Sequence, residues 1–236
     1  MLSLKGPELE VNLNGFAAQI PCDSAISEVR GLDSLKVSKL YPRGSVLFSE
    51  GQRPRGVYLL SNGRAKISIT SADGKTLVLR IAEPGELLGI KAALTGQPYE
   101  ATVETLGRCR IDFISREALL KLLARDRKAC LGVARALAGK LSGAFEHARL
   151  VLLPQSAQEK LARLLIGWCE KSGKRTPHGT RIESGLTHEE IAQMICVSRE
   201  TVTRALSELK RKHIVSWLGN TFYVRNRKAL ESVARC

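Results

Sequence analysis

Long hydrophobic runs are missing from this sequence, and no stretch approaches the roughly 20 apolar residues that a membrane-spanning helix needs. The first residues, MLSLKGPELEVN, also lack the order of a secretory signal, in which positive charge precedes an apolar core. Aromatic residues are scarce at 5%, although hydrophobic residues together reach 44%. The 236 residues can bury a substantial core in one large or two ordinary domains. We therefore expect a globular, cytosolic protein with no membrane partner.

Metal-binding and catalytic motifs are also lacking. The six cysteines, at positions 22, 109, 130, 169, 196 and 236, include no CxxC pair, which argues against a zinc ribbon or an iron–sulfur site. In a cytosolic chain we expect them to be reduced and mostly buried. The sequence HEEIA at 188–192 has no second histidine of a zinc protease motif, and no nucleophile–base set is recognisable. We therefore expect no metal site and no enzyme.

Positive charge is abundant, with a formal net charge of +14. Residues 1–153 carry 22 Lys and Arg against 15 Asp and Glu, whereas residues 154–236 carry 15 against 8. The C-terminal part is therefore the more densely basic, as a partner of a polyanion would be. Charge alone leaves a merely solvated basic surface equally open.

The stretch from about Leu40 to Ile114 has the pattern of a β-domain. Short apolar runs are separated by glycine-containing turns that recur every eight to twelve residues. The runs are SVLF, VYLLSNG, AKISIT, SADGKTLVLRI, EPGELLGI, ATVETLG and CRIDFIS. Many short strands at this spacing predict a sandwich or jelly roll, which either encloses a ligand pocket or is filled by its own core.

Residues 115–153 have a helical pattern, beginning with a short helix at Ser115. A longer helix follows, and its apolar residues repeat at spacings of 4, 3, 4, 3, 4 and 3. These seam residues are Cys130, Ala134, Leu137, Leu141, Ala144, Ala148 and Val151. The seam could pack on its own β-domain, but we favour a homodimer because so long a helix extends beyond a small jelly roll.

A hinge and a second domain follow. Pro154 ends the long helix, and Ser156 with Glu159 forms a capping box that opens the next one. Residues 171–185, KSGKRTPHGTRIESG, are interpreted as an exposed loop. We expect an extension at 1–31, a jelly-roll domain at 32–126, a dimerisation helix at 127–153 and a second domain at 154–236.

The C-terminal domain contains a helix-turn-helix pattern. Thr187 and Glu190 form a second capping box, ICVS interrupts the helix that follows, and SRETVTRALSEL forms the next helix. At about 100° per residue, the apolar side chains of this second helix share one face and a mostly basic polar face lies opposite. The polar residues are Arg199, Glu200, Thr203, Arg204, Ser207, Lys210 and Arg211. A polar face that starts at a helix N-terminus is typical of a DNA recognition helix.

Individual side chains suit DNA. Arg binds guanine through its O6 and N7 atoms, and Glu accepts a hydrogen bond from cytosine N4. Hydroxyls and free N–H groups at helix starts bind phosphate. The expected phosphate contacts are Thr187, His188, Ser198, Thr201, Thr203 and Lys210. The runs HIVSWL and TFYVRN flank Gly219–Asn220 and predict a hairpin wing, where Arg225, Arg227 and Lys228 either approach phosphate or stay solvated.

The order of jelly roll, long helix, hinge and winged helix-turn-helix carrying SRETVTR resembles the cyclic-AMP receptor protein/FNR superfamily of bacterial transcription regulators. The similarity covers about Leu32 to the C-terminus. It implies an α+β chain that binds an inverted repeat of TGTGA-like half-sites as a homodimer, with Arg199, Glu200 and Arg204 as base readers. RNA polymerase is an expected partner if the protein is an activator. The turn holds Cys196 where the family usually has Gly.

The resemblance also implies a cyclic-nucleotide pocket, from which this chain departs. The Glu that holds the ribose is replaced by Ile90, and the Arg–Ser pair that holds the phosphate by Tyr99–Glu100. The corresponding pocket residues are Gly85, Glu86, Leu87, Gly89, Ile90, Tyr99, Glu100, Ala101, Ala144 and Phe145. A carboxylate repels a cyclic phosphate, so we do not expect cyclic AMP to bind in the standard way.

The cofactor or effector is therefore unknown from the sequence. A different small molecule, a redox change at Cys22, haem on His147 or no effector at all remain open. For His147, a solvated helix histidine is the favoured interpretation. For Cys22, an inert thiol is favoured.

Overall fold

The computed structural model of the protein describes residues 35–152 and 156–235. The expected N-terminal extension, Cys22 and the hinge at Pro154 lie outside the described residues. Within those two ranges, no helix is long and apolar enough to cross a membrane.

The N-terminal half is a sandwich of two four-stranded antiparallel sheets. One sheet has the order β1-β8-β3-β6 and the other β2-β7-β4-β5. The strands are β1 (Lys36–Tyr41), β2 (Val46–Phe48), β3 (Gly56–Asn62), β4 (Ala65–Thr70), β5 (Thr76–Ala82), β6 (Leu87–Leu88), β7 (Thr102–Thr105) and β8 (Cys109–Ser115). Strands β2 to β8 each overlap one of the expected runs, which confirms the jelly roll.

Strand β1 and a short helix, α1 (Ile90–Thr95), were not expected from the sequence. Strand β1 is mostly exposed and shows weak apolar alternation, so its pairing with β8 depends on contacts distant in sequence. Its Ser38 hydroxyl donates to buried Asp112, which also accepts from Ser61 at 2.7 Å. Although burial opposes it, these bonds and the Lys36 ammonium hold the pKa of the Asp112 carboxyl below its ordinary value.

Two helices follow the sandwich, α2 (Arg116–Arg125) and α3 (Arg127–Leu152). Ser115 caps α2 as expected, because its hydroxyl accepts the Ala118 N–H at 3.2 Å. Helix α3 is continuous over 26 residues. Its buried residues are Ala129, Gly132, Val133 and Ala136, and this small-residue face lies against the sandwich. One face of α3 is thus packed within the chain while the others are left for solvent or a partner.

The C-terminal half has four helices and a four-stranded sheet of order β11-β12-β10-β9. In chain order it contains α4 (Ala157–Ser172), β9 (Lys174–Thr176), β10 (Gly179–Glu183), α5 (His188–Ile195), α6 (Arg199–Arg211), β11 (Val215–Leu218), β12 (Thr221–Val224) and α7 (Arg227–Arg235). The two-residue loop Gly219–Asn220 joins β11 to β12, which confirms the hairpin wing. One buried apolar cluster packs helices α4, α5 and α6 against the sheet.

Two expectations for this half were wrong. Residues 171–185 are not a loop, since they contain β9 and β10, and Ile182 of β10 is buried opposite Phe222 of β12. Arg227 and Lys228 do not belong to the wing, because they begin α7. Arg227 is committed to ion pairs with Glu170 and Glu231, each at 2.8 Å.

Candidate nucleic-acid interface

The first helix of the helix-turn-helix, α5, starts at the expected capping box. The Thr187 hydroxyl accepts the Glu190 N–H at 3.2 Å, and the Glu190 carboxylate accepts the Thr187 N–H at 2.9 Å. Thr187 is exposed. The remaining unpaired N–H groups of this helix start are therefore fixed in place and open to an anion.

The turn between the two helices passes through Cys196 in the left-handed region, with φ 53° and ψ 55°. The Cys196 N–H donates back to Ala192 O and ends α5. Ser198 then caps α6 by accepting the Thr201 N–H at 3.2 Å. Cys196 is thus a non-glycine residue in a left-handed conformation.

Helix α6 separates its faces as the sequence predicted. The buried side chains are Val202, Ala205, Leu206 and Leu209, none of them more than 5% exposed. The exposed polar residues are Arg199, Glu200, Thr203, Arg204, Ser207, Lys210 and Arg211. The three expected base readers thus all project from one arc of about 140°. Hydrogen bonds from its own backbone N–H and from Ser198 lower the pKa of the Glu200 carboxyl, which is charged at neutral pH.

The expected phosphate-binding residues meet where the two helices cross. His188 Nδ1 lies 3.1 Å from Thr203 Oγ1, which ties the start of α5 to the exposed face of α6. Ser198 and Thr201 share a hydroxyl–hydroxyl hydrogen bond of 3.0 Å. Burial, and then the charge of Arg199, hold the pKa of the His188 imidazole below its ordinary value. His188 is therefore neutral at pH 7 and can offer a hydrogen bond to phosphate but no positive charge.

Trp217 of the wing, whose role the sequence interpretation missed, contacts two of the expected phosphate-binding residues. The Lys210 ammonium lies 5.1 Å from the centre of the Trp217 ring, and the His188 ring meets it edge-on at 6.1 Å. A cation over an indole face is electrostatically favourable. Trp217 therefore holds Lys210 beside the polar face of α6. In the same wing, Arg225 Nε donates to Ser216 Oγ at 3.1 Å.

The ten residues expected around the effector pocket fall into two groups. Eight lie in the sandwich around β6 and α1: Gly85, Glu86, Leu87, Gly89, Ile90, Tyr99, Glu100 and Ala101. The other two, Ala144 and Phe145, are exposed on α3, with Phe145 61% exposed.

Tyr99 is the residue that the sequence interpretation places at the family's phosphate-binding Arg. Its ring is 3% exposed and stacks on Phe48 at 4.0 Å, and its hydroxyl donates to Gly56 O at 2.6 Å. Gly89 has φ 76°, and a Cβ built there would lie 2.7 Å from the Tyr99 ring. The ring is therefore locked in the core by three close neighbours.

The polar groups nearby do not suit a cyclic phosphate. Glu100 is exposed and pairs with Lys91, while the Arg80 guanidinium is already paired with Glu86. Ile90 is buried where the family has a ribose-binding Glu. These residues do not fit a cyclic nucleotide in the standard mode of the family.

All the seam residues of α3 except Leu137 lie outside the buried cluster that the helix forms with the sandwich. Cys130, Ala134, Leu141 and Ala144 are exposed, and Leu137, Ala148 and Val151 are half-buried. Other large apolar side chains of α3 are also open to solvent: Leu131 at 51%, Phe145 at 61% and Leu152 at 78%. The seam therefore meets the packed face of the helix at Leu137, which contacts the sandwich core, while four of its seven residues remain exposed.

Cysteine and histidine positions correct two smaller expectations. Of the four described cysteines, Cys109 and Cys169 are buried but Cys130 and Cys196 are exposed, so burial holds for only half of them. His147 is not a solvated helix residue: it is half-buried, and its Nε2 has no hydrogen-bond partner among the described residues. Burial lowers the pKa of its imidazole. No cluster of three or more His, Cys, Asp or Glu within the described ranges could hold a metal ion.

Comparison with known proteins agrees with this architecture. The family model of the cyclic nucleotide-binding domain matches residues 38–126, and that of the Crp-like helix-turn-helix domain matches residues 159–233. A CRP-like cAMP-activated global transcriptional regulator of Mycobacterium tuberculosis is 25% identical over 195 residues, 83% of this chain and 87% of the relative.

Two solved structures share the fold. TTHB099, a CRP-family transcriptional regulator from Thermus thermophilus, matches with a TM-score of 0.72 and 25% identity over 84% of this chain and 97% of its own. FixK2 from Bradyrhizobium japonicum matches with a TM-score of 0.74 over 84% of this chain and 96% of its own, at 21% identity, which supports the fold alone.

A cyclic-nucleotide-binding-like sandwich, a long helix and a winged helix-turn-helix with an open polar face define a DNA-binding transcription regulator. The chain belongs to the cyclic-AMP receptor protein/FNR superfamily, as the SRETVTR stretch indicated.

Proposed function

We propose that the protein binds an inverted repeat of TGTGA-like half-sites as a homodimer and regulates transcription in the bacterial cytoplasm. The observation that carries this proposal is the exposure of Arg199, Glu200 and Arg204 on one arc of α6. The two arginines bind guanines bidentately, and Glu200 accepts from the cytosine on the opposite strand. Thr187, His188, Ser198, Thr201, Thr203 and Lys210 fix the helix on the phosphate backbone.

The dimer forms through the free seam of α3. A twofold axis along this helix brings two copies of the same apolar surface together. We assign residues 32–126 to the sensor domain, 127–153 to the dimerisation helix and 154–236 to the DNA-binding domain, preceded by an extension at 1–31. RNA polymerase is the further partner if the regulator is an activator.

The sensor domain does not respond to cyclic AMP in the standard way. The locked Tyr99 ring and the Glu100 carboxylate, which pairs with Lys91, support this, since they occupy the phosphate position. Another effector, or DNA binding without any effector, follows from this filled site.

Two alanine variants separate base reading from electrostatic attraction. Arg204→Ala removes one bidentate contact, so affinity for the specific site should fall by roughly 1–3 kcal/mol while affinity for random DNA changes little. Lys210→Ala removes a phosphate contact, so both affinities should fall together and the slope of log K against log salt should flatten by about 0.9. Fluorescence anisotropy at several salt concentrations measures both quantities.

The outcome against the proposal is equally defined. If Arg204→Ala kept the full ratio of specific to random affinity, Arg204 would not read a base. If neither variant changed binding to any duplex, α6 would not be the DNA-contacting helix.

A further inference from the structure

The sandwich and the DNA-binding domain of the same chain are joined by a partly buried polar contact. Lys66 on β4 extends its ammonium to Glu190 Oε1 on α5 at 3.0 Å and to Glu104 Oε2 on β7 at 3.3 Å. The Lys66 and Glu190 side chains are only 18% and 13% exposed. A charge pair this shielded from water depends strongly on both partners staying in place.

Glu190 has two roles at once. One carboxylate oxygen accepts from Lys66, while the other accepts the Thr187 N–H and closes the capping box of α5. Although burial opposes it, the bond from Thr187 and the Lys66 ammonium hold the pKa of Glu190 below its ordinary value. Glu190 thus completes the capping box at the phosphate-facing start of α5 and is also ion-paired with Lys66 of the sandwich.

Further contacts surround this pair. Arg64, next to β4, donates to the Glu183 carbonyl at the end of β10 and packs against Gly185. Val78 of β5 and Leu106 belong to the same buried cluster as the helices of the DNA-binding domain. The two halves of the chain therefore share an apolar core, and the Lys66–Glu190 pair, called the clamp below, lies at its edge.

This contact leaves the DNA-reading face open. Thr187, Arg199, Glu200 and Arg204 stay exposed while Lys66 holds Glu190. The clamp accordingly constrains where the reading face points without covering it.

We propose that the Lys66–Glu190 pair is a positioning device that fixes the orientation of the helix-turn-helix on the sandwich and thereby sets the half-site spacing that the dimer accepts. This inference rests on the proposed function. Half-sites lie one helical turn apart, so one added base pair rotates the second half-site by about 35° and moves it by about 3.4 Å. A rigidly held domain rejects that change, whereas a released domain follows it at an entropic cost.

The test compares variants of the full chain on a series of duplexes. Lys66→Met and Glu190→Gln each remove one charge of the pair, and Gln at the third helical position keeps the capping box. Lys66→Arg preserves the positive charge. Lys75→Met is the matched control, because it removes the same charge from the same hairpin but breaks only an exposed pair with Asp73. The duplexes carry one half-site, or an inverted repeat at the selected spacing or one or two base pairs longer or shorter.

Lys66→Met should bind the single half-site like wild type, and the repeat affinities of both Lys66→Met and Glu190→Gln are compared with each variant's own affinity for the single half-site. They should lose roughly fivefold or more in affinity for the repeat at the selected spacing, the lower end of typical coupling between sites. The ratio of their affinity for that spacing to their affinity for the altered spacings should become smaller than in wild type. Lys66→Arg and Lys75→Met should keep the wild-type ratio. Circular dichroism verifies folding, and Glu190→Gln carries the test if Lys66→Met does not fold.

Three results would count against the inference. A spacing profile of Lys66→Met and Glu190→Gln that matches Lys75→Met would remove the positioning role. An equal loss on the single half-site and on every repeat would mean that the pair supports the helix-turn-helix itself, and not its orientation. A wild-type protein with no preference for any inverted repeat would overturn the proposed function, and this inference with it.

Discussion

Cys196 is the residue of the helix-turn-helix whose left-handed backbone conformation favours glycine over a residue with a side chain. A side chain at φ 53° and ψ 55° brings its Cβ close to the carbonyl oxygen, at a cost of roughly 1–2 kcal/mol, which glycine avoids. Glycine in turn has more freedom to lose on folding, worth about 0.4–1 kcal/mol. The turn forms despite this strain, because Ile191, Ala192 and Ile195 on α5 are buried against α6.

We predict that Cys196→Gly raises the free energy of unfolding by about 0.5–1 kcal/mol, the difference between these two effects. Urea denaturation followed by circular dichroism measures it. Cys196→Ser is the matched control, since serine keeps a Cβ and should give no gain. Equal stability of the Gly and Ser variants would show that the left-handed turn is not strained.

For single residues, the sequence predicted burial and capping correctly where the helical repeat of about 3.6 residues determines which side chains face inward. The four inward residues of α6 and the Thr187 capping box follow from spacing alone. Trp217 and Tyr99 could not be placed, because their roles arise from contacts with residues distant in sequence, such as Lys210 over Trp217 and Gly56 at the Tyr99 hydroxyl. Such contacts exist only once the strands have paired.

Among the elements, helix α3 has the clearest division of labour. Small residues pack on the sandwich, while the seam residue Leu141 and the nearby Phe145 remain exposed. An apolar stripe of this length on a helix needs a partner, and a second copy of the same stripe is the self-complementary solution.

Leu141→Glu should convert the protein into a monomer at micromolar concentration, because two like charges would meet near the dimer axis at a cost of several kcal/mol. Sedimentation velocity measures the assembly state. Leu141 is 57% exposed within one chain, so the fold should survive. Ser142→Glu, one residue along on an exposed position off the seam, should stay dimeric. A Leu141→Glu protein that sediments as a dimer would place the interface elsewhere.

The elements that the sequence did not predict have weak local signals. Strands β9 and β10 are three and five residues long and rich in charge, and they are defined only by pairing, of β10 with β12 and of β9 with β10. Helix α7 follows directly on the wing, and its start is fixed by Asn226, whose side chain accepts the Ala229 N–H at 3.0 Å. Seven longer runs in the sandwich were recognisable because glycine turns separate them.

In the molecule as a whole, the C-terminal half presents an exposed polar helix face, while the N-terminal half is a sandwich with a packed core. The polar face of α6 is exposed, four of the seven seam residues of α3 are exposed, and Lys66 of the sandwich pairs with Glu190 of the helix-turn-helix. Tyr99, which the sequence interpretation places at the phosphate position of the pocket, is buried against Phe48. In the described arrangement the sandwich therefore leaves the polar face of α6 exposed.

The central claim is that two copies of α6 read an inverted repeat through Arg199, Glu200 and Arg204. Repeated selection of bound duplexes from a random-sequence pool by the full-length protein, followed by sequencing, tests it most directly. We predict enrichment of an inverted repeat with a GTG core in each half-site, with half-site centres about one turn or 10–10.5 base pairs apart. Enrichment of sequences without twofold symmetry, or of a repeat without the GTG core, would contradict it.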